Sequence, residues 1–131
     1  MRWRKRRSKH GATKTVVHGI TFASQAEARR YQELLLMGLA GKLTDLEIQP
    51  RFPIVVNGQR VCDYVADFRY RESLFGPDAD RQADVYMDRV WIDVVEDVKS
   101  AWTRTLPVYR LKKKLMSAVY DIEVYEYGAG L

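Results

Sequence analysis

Residues 90–100, Val-Trp-Ile-Asp-Val-Val-Glu-Asp-Val-Lys-Ser, have the clearest strand pattern in this chain. Their β-branched side chains predict a strand over residues 90–99. Because side chains alternate between the two faces of a strand, Asp97 and Lys99 share one face, about 7 Å apart along the strand. Valine and isoleucine dominate the other face, which Glu96 interrupts. The stretch therefore predicts a mainly apolar strand with an acid and a lysine on one side.

The segments on either side predict two helices and further strands. A helix is expected after Ser24, because Glu27 follows at the spacing of a capping box, and it is expected to end near Gly38 and Gly41. Pro107 is well placed to start a second helix. Further strands are predicted over residues 46–49, 54–56, 61–70 and 122–127, with a hairpin turn at Asn57-Gly58, and residues 16–22 are predicted to form a short strand or a tight hairpin.

Proline and irregular composition predict where the strands stop. Pro50 and Pro53 are expected to end the strand at 46–49. Residues 71–89 are expected to form a long loop, or a hairpin excursion with one weak strand near Val85. The order of elements predicts an α/β fold with a central mixed sheet of about four or five strands and helices on its faces.

The overall composition is that of one domain. The chain has 131 residues, of which 47% are hydrophobic and 30% are charged. These values argue against a disordered or a membrane-spanning protein. The N-terminus lacks the apolar stretch of a signal peptide, and the single cysteine, Cys62, leaves no partner for an internal disulfide. We therefore expect a cytoplasmic protein with no membrane partner.

The excess positive charge lies in the N-terminal segment. Residues 1–14 carry seven of the 22 lysines and arginines and no acid, whereas the rest carries 15 basic and 17 acidic side chains. We expect a flexible basic arm at 1–14 and a single domain at 15–131. Such an arm suits nucleic-acid phosphates, because each neutralised phosphate releases a counterion; the alternative is a solvated tail. Its side chains expected to contact DNA are Arg2, Arg4, Lys5, Arg6, Arg7 and Lys9.

Two predicted strands bring carboxylates together. If residues 61–70 and 90–99 pair, Asp67, which would share a face with Asp63, comes close to Asp97. Two carboxylates about 4 Å apart repel by roughly 4 kcal/mol at an effective dielectric constant near 20. A divalent cation turns this repulsion into coordination, and Mg²⁺ typically takes a few carboxylates plus phosphate oxygens. With Lys99 beside it to hold water or stabilise charge, the pattern favours metal-assisted phosphodiester hydrolysis.

Simpler interpretations stay open for the same residues. Asp97 and Lys99 could form an exposed ion pair, and the capping box accounts for Glu27 without a metal. The carboxylates that could replace or join Asp67 and Asp97 are Asp63, Asp93 and Glu96.

Four segments carry a resemblance to a known family. Residues 24–31 (SQAEARRY), 64–68 (YVADF), 96–100 (EDVKS) and 109–112 (YRLK) resemble small phage-encoded proteins of the PD-(D/E)xK nuclease superfamily. Within it, the chain is most similar to Holliday-junction resolvases of the phage endonuclease I type and more distantly to the TnsA transposition nuclease. The resemblance runs from about Lys14 to Tyr127.

The resemblance implies a restriction-endonuclease-like core and a set of roles. Glu27, Asp67 and Asp97 would be catalytic metal ligands for Mg²⁺, with Mn²⁺ as a substitute, and Lys99 would be the catalytic lysine. Further DNA contacts would be Lys112, Lys113 and Lys114, on the helix after the motif of Asp97 and Lys99. Independently of the resemblance, the position of Trp102 just after Lys99, in a loop with serine and threonine, makes it a candidate for DNA contact or for a moving gate. The sequence departs from the family where Asp97 stands in place of the commoner glutamate, and where the loop at 71–89 is longer than usual.

The resemblance also implies a substrate and an assembly. It points to a Mg²⁺-dependent endonuclease for branched DNA, above all a four-way junction, acting as a homodimer in the host-cell cytoplasm if the protein is phage-encoded. Two other functions stay open: a nuclease that works with a terminase or transposase, and a non-catalytic DNA-binding module on the same fold.

Overall fold

The computed structural model describes residues 13–74 and 90–128. Its helices and strands confirm the predicted α/β class. In chain order they are β1 (Thr15–Val17), β2 (Ile20–Phe22), α1 (Gln25–Leu39), β3 (Leu43–Ile48), β4 (Arg51–Val56), β5 (Gln59–Val65), β6 (Phe68–Ser73), β7 (Trp91–Val98), a short 3-10 helix (Thr103–Thr105), α2 (Pro107–Tyr120) and β8 (Tyr125–Tyr127). Neither described helix is long and apolar enough to cross a membrane.

A mixed sheet of four strands forms the centre of the described part. The strand order is β3-β6-β7-β8, in which β6 is antiparallel to both neighbours and β7 is parallel to β8. The hairpins β1-β2 and β4-β5 form two further two-stranded sheets. A central mixed sheet was expected, and its four strands lie within the predicted number.

The two helices pack on opposite faces of this sheet. On one face, Tyr31 and Leu34 of α1 pack with Phe68 of β6 in one apolar cluster. On the other face, Met116 of α2 packs with Val95 of β7 and with residues of the β4-β5 hairpin. Each fully buried side chain of this size contributes about 1.5–3 kcal/mol through removal from water. The alternation of β7 therefore decides which of its side chains faces which helix.

The prediction of one continuous strand over residues 61–70 is wrong. The chain leaves β5, which pairs with β4, and enters β6, which pairs with β3 and β7. The break lies at Ala66 and Asp67, because the chain crosses there from the hairpin into the central sheet. Consequently Asp63 and Asp67 do not lie along one strand face.

Pro53 does not end a strand, contrary to prediction. It lies inside β4 and opposite Asp63 of β5. Among the described residues β4 pairs with β5 only, and an edge strand tolerates proline because its outer N–H groups need no strand partner. Of the segment predicted as a loop, residues 71–73 belong to β6, whereas Val85 and the rest of 75–89 lie outside the described residues, as do residues 1–12 of the predicted arm.

Candidate active site

Asp67 lies at the break between β5 and β6, and two hydrogen bonds from backbone N–H groups to carboxylate oxygens join it to Asp97 and to Val98. The Asp67 N–H donates to Oδ1 of Asp97 at 3.0 Å, and the Val98 N–H donates to Oδ2 of Asp67 at 2.7 Å. The pairing of Phe68 with Glu96 in the sheet sets up this exchange. The predicted approach of Asp67 and Asp97 is therefore present, although the path of the chain differs from the predicted one.

Asp97 is the most deeply buried acid of the proposed set, with 1% of its surface exposed. The Tyr64 hydroxyl donates a hydrogen bond to its Oδ2 atom. Burial raises the pKa of Asp97, although the nearby Lys99 opposes this rise. Burial likewise raises the pKa of Asp67, against the hydrogen bond from Val98 and the charge of Lys99. Both carboxylates are thus short of compensating positive charge.

Glu27 reaches the same region from the first turn of α1. The Ser24 hydroxyl caps the helix by accepting the Glu27 N–H at 3.1 Å, as the capping-box spacing predicts. In return, Oε2 of Glu27 accepts the N–H of Ala23 at 3.3 Å. Burial and then the charge of Asp67 raise the pKa of Glu27 to about 6, with smaller effects from Lys99 and Asp97. Cap and cluster member are therefore compatible roles for this side chain.

Lys99 follows β7 directly and supplies the positive charge of the cluster. Its backbone N–H donates to the Tyr127 carbonyl at 3.1 Å, which extends the pairing of β7 with β8. Its Nζ atom lies 5.0 Å from the centroid of the Tyr109 ring, within cation–π range. The charge of Lys99 lowers the pKa values of Glu27, Asp67 and Asp97. The four predicted catalytic side chains therefore act on one another electrostatically.

The carboxylates fit a magnesium ion in chemistry but do not form a closed cage. Across residues 13–74 and 90–128, no three His, Cys, Asp or Glu side chains are arranged to hold one metal ion. Mg²⁺ is commonly held by one or two carboxylates together with water and substrate phosphate oxygens. The neighbouring carboxylates of Asp67 and Asp97 suit this mode, because the raised pKa values of two adjacent, largely buried acids fall when a cation binds. The full ligand set with Glu27 stays a prediction.

Glu126 of β8 is a further acid near the site that the sequence analysis missed. It is the sheet partner of Asp97, and its charge raises the pKa of that residue. Arg104 holds one of its oxygens at 2.8 Å, and Lys113 donates to the other. The Tyr-Glu-Tyr pattern of residues 125–127 would have pointed to this residue only if the pairing of β8 with β7 had been known.

Two of the three competing acids lie away from the cluster. Asp63 is bound within the β4-β5 hairpin by Arg51 at 2.7 Å and by Nε of Arg60 at 2.9 Å. Asp93 is exposed and lies opposite Arg71, four residues before Asp97. At about 3.4 Å per residue, this spacing puts Asp93 about 14 Å from Asp97 along the strand.

Glu96, the third competitor, is fully buried on the opposite face of β7. Arg30 of α1 binds it in a bidentate ion pair, with Nε at 2.9 Å from Oε2 and Nη2 at 2.8 Å from Oε1. The Tyr70 hydroxyl donates to Oε1 at 2.9 Å, and the Arg30 guanidinium carbon lies 3.7 Å from the centroid of the Tyr127 ring. Glu96 therefore fastens α1 to the sheet one turn away from Glu27.

The predicted DNA contacts fall into three groups. Arg2, Arg4, Lys5, Arg6, Arg7 and Lys9 lie outside the described residues. Lys112 is half-buried and donates to the Asp63 carbonyl at 3.1 Å, so its ammonium faces the hairpin. Lys113 and Lys114 line a groove beside α2, and Trp102 is 52% exposed.

Comparison with known proteins identifies a family and no individual relative. Neither the curated proteins nor the solved structures contain a match to this chain. Residues 7–125 match the family described as "Protein of unknown function (DUF1064)", and because the match covers most of the sequence, the chain belongs to this family.

Proposed function

We propose that this protein is a Mg²⁺-dependent DNA endonuclease of the PD-(D/E)xK type. The observation that carries the proposal is the meeting of Asp67, Asp97 and Lys99 beside Glu27, from three separate parts of the chain. Burying several acids in one place is costly unless a cation or a reaction uses them. A lysine within the same cluster adds a group that can act on water or on a phosphate.

Each side chain has a role that its surroundings support. Asp67 and Asp97 are held by backbone N–H groups and by Tyr64, so both would present preorganised oxygens to the metal. When bound, Mg²⁺ would supply a Lewis acid and lower the pKa of a water molecule. Lys99, held against Tyr109, would orient that water or stabilise negative charge on the phosphate. Glu27, from the first turn of α1, would be the third carboxylate of the site.

The substrate we propose is branched DNA, above all the four-way junction, on the strength of the sequence resemblance. A groove between α1 and residues 98–101, lined by Arg29, Lys99 and Ser100, would give a DNA strand access to the lysine. Contacts of Lys113, Lys114, Trp102 and the basic arm to the DNA backbone would fix its position without reading its sequence. Paired cuts in a symmetric junction require two active sites, so the acting form would be a homodimer.

The test is cleavage of an end-labelled four-way junction beside a linear duplex of the same arm sequence, with Mg²⁺, Mn²⁺ or EDTA. We expect paired nicks in the junction with either metal and none with EDTA. Lys99→Ala and Asp67→Asn should abolish the nicks while circular dichroism shows an intact fold. Lys42→Ala, which removes an exposed lysine just before β3, is the matched control and should cut like the wild type.

The outcomes separate the proposal from its alternatives. Equal cutting of junction and duplex would favour a nuclease that works with a terminase or transposase and would overturn the junction as substrate. Binding of DNA without cleavage under both metals would identify a non-catalytic module. Unchanged cleavage by Lys99→Ala would refute the assigned site.

A further inference from the structure

A groove of about 690 Å³ runs beside α2 and begins next to the catalytic cluster. At one end lies Ala101, two residues after Lys99, and Tyr109, whose ring contacts the Lys99 ammonium, forms part of the wall. From there the groove follows α2 to Ser117 and Ala118. Its charged lining comprises four cations and two acids: Arg104, Arg110, Lys113, Lys114, Glu123 and Glu126. The groove is therefore a positively charged continuation of the site.

Two of these cations are bridged by one carboxylate. Glu126 accepts from Nε of Arg104 at 2.8 Å and from the Lys113 ammonium. Although burial works against ionisation, the hydrogen bond from Lys113 and the charges of Lys113 and Arg104 lower the pKa of Glu126. The bridge consequently consists of an ionised carboxylate between two cations that come from the short 3-10 helix and from α2.

The other two cations of the groove are differently arranged. Arg110 and Lys114 are exposed and, four residues apart, lie on the same side of α2 as Lys113. Glu123, the second acid, accepts a hydrogen bond from the Ser117 hydroxyl at 2.6 Å. Glu123 thus binds a hydroxyl group, whereas Glu126 bridges two cations.

We propose that Arg104 and Lys113 form a binding site for a DNA backbone phosphate, and that Glu126 takes the place of this phosphate in the free protein. This inference rests on the proposed function, because the phosphate belongs to the strand that enters the site at Lys99. A carboxylate and a phosphate oxygen accept the same charge-assisted hydrogen bonds from arginine and lysine. A strand that displaces Glu126 would find two positioned cations there and continue past Arg110 and Lys114.

The inference is testable because it predicts that one substitution, Glu126→Gln, increases the affinity for DNA. Glu126→Gln keeps the size of the side chain but frees the two cations, so DNA affinity should rise by about fivefold, as expected when two partly exposed ion pairs no longer compete. Glu123→Gln removes the same charge from the same groove without freeing a cation pair, and its effect should stay below about twofold. Arg104→Gln should weaken binding and reduce the slope of log K against log salt by about one unit.

The measurement is fluorescence anisotropy of a labelled four-way junction in EDTA, at several salt concentrations, with melting curves for every variant. Arg71→Gln is the control for Arg104→Gln, because Arg71 is similarly exposed (48% against 44%) and also pairs with one acid, Asp45. Tighter binding by Glu126→Gln than by Glu123→Gln, with a smaller salt slope for Arg104→Gln than for Arg71→Gln, supports the inference. Equal effects of the two glutamine variants, or an unchanged slope for Arg104→Gln, would overturn it.

Failure of this inference and failure of the proposed function give different results. Because the assay contains EDTA, it measures binding without cleavage. If Glu126→Gln tightens binding as expected but the wild type cuts no DNA with Mg²⁺ or Mn²⁺, the phosphate site stands and the nuclease proposal fails. If the wild type cuts junctions and Glu126→Gln binds no more tightly than Glu123→Gln, only the phosphate site fails. If no variant binds DNA, the phosphate site is refuted.

Discussion

Removal of the Arg30 guanidinium by Arg30→Met should strongly destabilise the fold. The substitution leaves Glu96, with no exposed surface, as a buried carboxylate whose remaining partner among the hydrogen bonds described is the Tyr70 hydroxyl. Breaking a buried ion pair from one side costs about 3–5 kcal/mol, because the remaining charge stays desolvated. A domain of this size is stable by about 5–15 kcal/mol in total, so the melting temperature should fall by about 10–20 °C.

Replacing the whole group with apolar side chains should recover most of this loss. In the triple variant Arg30→Met, Tyr70→Phe, Glu96→Leu, no buried charge remains in this group, and such replacements of ion pairs are often neutral or stabilising. Urea denaturation followed by circular dichroism measures the free energy of unfolding of both variants. Arg29→Met, which makes the same change at the exposed residue next to Arg30, is the control. A loss below about 1 kcal/mol for Arg30→Met, or a triple variant no more stable than the single one, would refute this reasoning.

The triple variant should nevertheless cut DNA more slowly than the wild type, if the protein is the nuclease proposed above. The bidentate ion pair of Arg30 and Glu96 fixes the orientation of α1 relative to β7, whereas apolar contacts are not directional. A shift of about 1 Å in a catalytic group such as Glu27 can reduce a rate by about a hundredfold. A stable triple variant with full cleavage activity would show that the pair only stabilises the fold.

Two further predictions concern the acids themselves. Because the folded-state pKa of Glu27 (about 6) lies above its ordinary value of 4.5, the stability contributed by its protonation is complete below pH 4.5 and is lost as the pH rises through 6. Glu27→Gln should therefore be more stable than the wild type at pH 7.5, by about 1 kcal/mol after allowance for solvent screening, and equal to it at pH 4; equal stabilities at both values, measured by urea denaturation, would contradict this. Mg²⁺ at ten times its Kd should stabilise the wild type by about 1.4 kcal/mol, seen as a higher melting temperature, but should leave Asp67→Asn unchanged. The same rise in both proteins would exclude Asp67 as a ligand.

The strongly patterned elements were predictable from the sequence alone. The strand around Val95, the helix that starts at Pro107 and the capped start of α1 at Ser24 all depend on local spacing, and the structure contains each of them. The closeness of Asp67 and Asp97 was also predictable, because it needed only that their segments be neighbours.

Other features depended on tertiary structure that no local pattern encodes. Residues 61–70 are rich in strand-forming side chains, and the low strand propensity of Ala66 and Asp67 was too weak a local signal to predict the crossing between sheets there. The side of β7 that receives α1 determined that Glu96 binds Arg30, and the parallel pairing of β8 brought Glu126 beside Asp97. The Lys112 ammonium faces the β4-β5 hairpin because the hairpin places the Asp63 carbonyl within hydrogen-bond distance of it.

Because Glu96 and Asp97 are adjacent, the function of both depends on the register of β7 in the sheet. The two acids are neighbours in sequence, yet one holds a helix and the other belongs to the proposed catalytic cluster. A slip of β7 by one residue would exchange their faces, because strand side chains alternate. Only one of the two positions would then hold a carboxylate, because Val95 or Val98 would occupy the other, and Lys99 would turn toward α1, away from the cluster. An insertion or deletion within this strand should therefore be far less tolerated than a substitution of either acid by the other.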